Sequence, residues 1–169
     1  MLGIVLAIPV LAVVAILQSA VLSRMPLLSG TADLMLLAVA GWVLHERVRA
    51  HWWWALAGGV LSGYLSALPI FVFPAAYVLV TGFALLIRRR VWKAPILAML
   101  ATVFFGTLIV HAVSLLAVSL RGTLLPFGDV INLITLPSLL LNLLLALPVY
   151  VVMRDLANWI YPEEIGYDE

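Results

Sequence analysis

The sequence has no cysteine and little charge of either sign, with eight acidic and nine basic residues in 169. Without cysteine there is no disulfide framework, no thiolate nucleophile and no thiolate metal site. A soluble domain carries about 25% charged residues. This chain carries 10%, against 66% hydrophobic residues. A chain of this size cannot hide so much apolar surface from water, so the expected solvent is lipid. No polar linker divides it, which predicts one compact bundle. The net charge of +1 points to no class of partner, and no nucleic acid is expected. The first 22 residues carry no charge. They lack the basic start and short apolar core of a signal peptide, and so are read as a retained first span.

What is present is a series of apolar stretches. Crossing about 30 Å of hydrocarbon takes roughly 20 helical residues. Charges and turn residues cut the chain into six stretches, about 2–22, 32–46, 52–68, 71–87, 93–120 and 136–158. The expected fold class is therefore an all-α integral membrane protein, a compact bundle of six transmembrane helices, followed by a short acidic tail over 159–169. Arg24, Pro26 and Gly30 suit a turn between the first two stretches. Asp33 then sits where the helix dipole favours an acid. Pro9 and Pro148 predict kinks or local unwinding in the first and last helices. The turn 69–74 between spans 3 and 4 holds no charge.

The basic residues are unevenly placed. Arg47, Arg49, Arg88, Arg89, Arg90, Lys93 and Arg154 fall on one side, and only Arg24 and Arg121 on the other. The positive-inside rule then puts both termini in the cytoplasm. It also puts Trp52, Trp53 and Trp54 at the inner headgroup level, where indole rings anchor. The basic loops are read as contacts to anionic lipid, at roughly 1 kcal/mol per residue near the surface, or as docking sites for a cytoplasmic partner.

The third stretch gives up side chains along one broad face. Ala55, Gly59, Gly63 and Ala67 recur every four residues, and Gly58, Ser62 and Ser66 run beside them. Burial alone does not drive helices together in lipid, whereas small residues let backbones approach and gain dispersion contacts. The stripe is expected to pack against a helix, either of this chain or of a partner.

No catalytic constellation stands out. There is no HExxH, and no phosphate-binding glycine loop precedes a lysine. On this span map every charged residue falls in a turn or near a span end, which argues against a proton relay or an ion pump. His45 and His51 sit at the basic interface, so no metal and no cofactor is expected. The polar residues inside spans are Gln18, His111 and Asn142, with Ser114 on the His111 face. All fall toward the outer leaflet. Interhelical hydrogen bonds, around 0.6 kcal/mol each, are the simplest role for them. An outward-facing ligand pocket or a contact to a partner helix are the alternatives. No carboxylate is expected near His111, so catalysis has no second actor.

Three segments together resemble the family of the rod shape-determining protein MreD. They are "LQSAVLSRMPLLSGTADLMLL" at 17–37, the glycine-rich third span ending near Pro69, and "LLLNLLLALPVYVVMRDL" at 139–156. Two departures stand out. The family usually has Pro before the acid that opens span 2, where this chain has Ala32. Family members often carry an Asp after the glycine pair of span 3, where this chain reads Gly63-Tyr64-Leu65-Ser66. The resemblance implies a non-enzymatic scaffold of the cell-elongation machinery in the bacterial inner membrane. Its expected partners are the single-span protein MreC and, directly or indirectly, RodA, a class B penicillin-binding protein and MreB. The family is also similar to the S components of energy-coupling-factor vitamin transporters, which supplies an expected helix arrangement and an alternative function. The Ala-x-x-x-Ala docking pattern of S components has only a loose counterpart here, Gly3-x-x-x-Ala7.

Overall fold

A computed structural model describes residues 2–20, 30–90, 94–123 and 126–162. Among these the structure is helical, with no strand. Eight α-helical segments form six rods: α1 (Leu2–Val5) with α2 (Ala7–Ala20), α3 (Leu34–Leu44), α4 (His51–Leu65), α5 (Val72–Arg90), α6 (Pro95–Leu120), and α7 (Phe127–Asp129) with α8 (Leu136–Ile160). A π-helical turn, Val130–Thr135, joins α7 to α8. Lys93, Arg24 and the acidic tail from residue 163 onward lie outside the described residues.

Four rods are long and apolar enough to cross a membrane: Gly3–Ala20, Val72–Arg90, Pro95–Leu120 and Phe127–Ile160. The other two correct the span map. α3 has 11 residues and α4 has 15, so at 1.5 Å per residue they reach only about 16 and 22 Å. α3 can be short because it is the centre of the bundle. It packs against α2, α4, α5, α6 and α8, and every residue from Met35 to Leu44 is buried.

The prolines act unequally. Pro9 cannot donate to the Val5 carbonyl and its ring crowds that oxygen, and the first rod breaks one residue later, at Leu6. Pro148 lies within an uninterrupted α8, contrary to the expected unwinding there. The irregular turn lies upstream instead, where the Leu136 N–H reaches back to the Ile131 carbonyl. This wide turn directly precedes Pro137, which has no N–H to offer the Leu133 carbonyl. The last rod also begins at Phe127, well before residue 136.

The three tryptophans separate. Trp52 and Trp53 are each 48% exposed, while Trp54 is fully buried. Trp54 stacks on Trp42 with ring centroids 4.0 Å apart and planes 17° apart. Its indole N–H donates to the Gly3 carbonyl at 2.8 Å. Only two of the three are therefore placed to anchor at an interface. Gly3 and Ala7 are buried too, and a Cβ on Gly3 would clash with the Tyr161 hydroxyl. The loose small-residue pattern of the first rod is consumed inside the chain.

Candidate functional site

The small-residue stripe of α4 is filled by this chain's own backbone. A Cβ on Gly59 would lie 2.5 Å from Pro74 Cα, and one on Gly63 would lie 2.5 Å from the Ile70 carbonyl oxygen. On the neighbouring row, a Cβ on Gly58 would meet Val39 of α3 at 3.0 Å. Ala55 is fully buried. The stripe therefore seats α4 between α3 and the start of α5. Ser66 and Ala67 do not extend it. Ser66 caps α4 and its hydroxyl accepts from the Leu68 N–H at 3.1 Å, while Ala67 is exposed.

The polar residues converge on one place, the start of α3. The first N–H groups of a helix have no partner within it, and in an apolar medium each needs one. The Thr31 N–H donates to Ser138 Oγ at 3.0 Å. The Asp33 N–H donates to Asn142 Oδ1 at 2.7 Å. The Met35 N–H donates to Gln18 Oε1 at 3.1 Å. The Leu36 N–H donates to Asp33 Oδ1 at 2.9 Å, making Asp33 the N-cap. These side chains come from α2, α8 and the cap itself. Together they let an irregular entry to α3 lie against packed helices.

The acceptors are held in turn. Asn142 Nδ2 donates to Thr107 Oγ1 at 2.9 Å, and that hydroxyl donates to the Val103 carbonyl at 2.8 Å. The Tyr77 hydroxyl donates to both Asp33 carboxylate oxygens at 2.9 Å. With that proton committed, the Ser62 hydroxyl, 3.2 Å away, donates to the Tyr77 oxygen. Ser62 thus links the α4 stripe to the polar cluster. Asp33 stands at the helix N-terminus where the sequence places it, as the N-cap of α3, and it is in addition half-buried and bonded to Tyr77. Ser138 and Asn142 stand one turn apart on one face of α8, a spacing visible in the sequence. Tyr77 gave no such signal, because its partner lies 44 residues away.

His111 and Ser114 stand apart from this network. With Gln18 and Asp33 they line a cavity of about 300 Å³. Asn142 does not line it. The Nδ1 of His111 lies 3.0 Å from Thr135 Oγ1, at the end of the π-helical turn. A carboxylate therefore shares a cavity with His111, against the expectation of none. Its two oxygens share the Tyr77 hydroxyl proton, and Oδ1 also accepts from the Leu36 N–H. Among the described residues no three His, Asp or Glu side chains are grouped to hold a metal.

The basic residues gather at one pole. Arg88 Nη1 donates to the Val43 and His45 carbonyls at 3.0 and 3.1 Å, covering the end of α3. Arg47 donates to the Tyr161 carbonyl at 3.3 Å, and His45 Nε2 lies 2.9 Å from Asn158 Oδ1. The ends of α3, α5 and α8 therefore meet. Arg49, Arg89 and Arg90 are exposed.

Comparison with known protein families, characterised proteins and solved structures finds no match.

Proposed function

We propose that the chain is a multi-pass membrane scaffold of the MreD type, non-enzymatic, and engaging a single-span MreC-like partner through its lipid-facing surface. The observation that carries this reading is where the resemblance falls. The segments 17–37 and 139–156 contribute Gln18, Asp33 and Asn142, the groups that interlock at the start of α3. A shared motif set is explained when its polar members support one structural device. Gln18, Asp33 and Asn142 each bond the backbone at the start of α3, a structural use that fits a non-enzymatic reading.

The four long apolar rods, together with exposed residues such as Ile8, Ile16, Leu86, Leu140 and Leu144, support immersion in lipid. The basic pole supports a cytoplasmic face there, and with it cytoplasmic termini. The stripe on α4 is already occupied, so the partner's span is assigned to the outer sides of the bundle. Coexpression with an MreC-type protein should give a detergent-stable complex that elutes as one species. Two independent species would count against the reading.

A second reading, a vitamin-binding S component, is favoured by the cavity beside His111 and Ser114. It requires several free polar groups converging on the ligand. Gln18 and Asp33 are already engaged with the α3 backbone. Equilibrium dialysis against water-soluble vitamins should show no saturable binding, and a stoichiometric bound vitamin would favour this second reading.

A further inference from the structure

The rods do not offer lipid the same height. On α4 the exposed residues Trp53, Leu56, Val60 and Tyr64 form one face, and from Trp53 to Tyr64 the helix rises only about 17 Å. On α6 exposed apolar residues run from Ile96 to Leu120, about 36 Å of helix. The hydrocarbon of a bilayer is about 30 Å thick. The α4 face is too short for it and the α6 side is not.

Close contacts fix how these rods are staggered. Gly59 and Gly63 of α4 lie against Pro74 and Ile70, and Gly106 of α6 lies against Val80 of α5. Neighbouring rods run antiparallel, so Tyr64 stands at about the height of Leu116. Pro69 and Phe71, in the turn between α4 and α5, line a cavity together with Leu116 and Leu120. At this height α4 is ending and α6 is not. The last carbonyls of a helix have no partner within it. α4 ends at Leu65, and the chain turns through 66–71 with Ala67, Ile70 and Phe71 exposed. Irregular backbone facing lipid inside the hydrocarbon would leave its polar groups unanswered, so the polar boundary must come down to this turn. Beside it α6 continues unbroken, with Leu116 and Leu120 exposed, and meets a charge only at its C-cap, Arg121. About 8 Å of helix separates Leu116 from Arg121, and those leucines hold the hydrocarbon up. A flat boundary cannot serve both sides.

We propose that the α4 face is a surface for thinned bilayer. Short or disordered acyl chains pack against Leu56 and Val60, full-length chains pack on α6, and the lipid around the molecule steps in thickness between them. A short apolar stretch is met by local thinning. The ends of the face fit this, since Trp and Tyr settle at headgroup level and α4 presents Trp53 at one end and Tyr64 at the other. The inference rests on the membrane reading above.

The chain has no cysteine, so a single introduced cysteine can carry a nitroxide label in the full chain. Tyr64→Cys and Leu116→Cys are labelled and reconstituted into phosphatidylcholine vesicles. Electron paramagnetic resonance then reads depth from collisions with oxygen, which collects in hydrocarbon, and with a water-soluble nickel chelate. Leu144→Cys, on an exposed position of α8, is the hydrocarbon control. The label at position 64 should lie about 8 Å shallower than the label at 116, although the two stand at one height on the bundle. Nickel should reach the first, and oxygen alone the second. Should Tyr64→Cys fail to fold, Leu65→Cys, exposed at the same end of α4, should give the same result.

Equal depths at 64 and 116 would overturn the inference, since the boundary would then be flat. A label at 64 shielded from both reagents would overturn it in favour of a second copy of the chain covering the end of α4. Nickel reaching the label at 144 as freely as the label at 64 would overturn the membrane reading itself.

Discussion

Asn142 is the residue on which the polar cluster turns, since it accepts from the Asp33 N–H and donates to Thr107. Replacing it with Leu keeps similar bulk and removes both bonds. A buried donor left without a partner costs about 1–3 kcal/mol, so Asn142→Leu should lower the thermal midpoint measured in detergent. Tyr77→Phe removes the donor to Asp33 and should act in the same direction. Because both changes strain the same turn, their effects should not add, and strict additivity in a double-mutant cycle would mean that the cluster is not one unit. His111→Ala removes a single half-buried contact and should cost less than about 1 kcal/mol, with partner binding unchanged. In the sequence Gln18, His111 and Asn142 stood out because polar residues are rare in apolar stretches. Asp33 did not, because an acid before a helix is unremarkable until the residues around it are known. Its burial depends on Tyr77 and Ser62 from two other helices, and that non-local arrangement leaves no local mark.

At the scale of elements, α4 and α5 depend on close backbone approach. Gly59→Ala places a Cβ 2.5 Å from Pro74 Cα, so the helices must part. The cost should be about 1–3 kcal/mol, seen as a lower midpoint or loss of the monodisperse species. Gly82→Ala is the matched control. Its nearest neighbour is Trp52 at 3.9 Å, so the helix-propensity gain of up to about 1 kcal/mol should make it neutral or stabilising. If both variants behave alike, the stripe is not the seat of the α4–α5 contact. The i, i+4 spacing announced that seat in advance, but not its occupant. The prolines teach the same lesson. Pro9 breaks its rod, whereas α8 runs on through Pro148 and opens instead just before Pro137. A proline removes a hydrogen bond at a known place, and the neighbouring helices decide how the backbone answers.

For the whole molecule, composition and charge spacing were enough to reach a six-rod helical bundle. They did not reveal that two rods are short or that α3 is the hub. Length was judged against the thickness of a bilayer, a rule for helices that lipid surrounds. α3 is surrounded by protein and escapes it. On this account the interior is devoted to holding α3, and the function is carried by the outer surface. Purification of the tagged chain from its native membrane in a gentle detergent, with mass spectrometry of every protein and small molecule retained, tests this most directly. The account predicts a stoichiometric single-span partner with a large extracytoplasmic domain, and no bound metabolite. A stoichiometric vitamin-sized ligand with no such partner would contradict it.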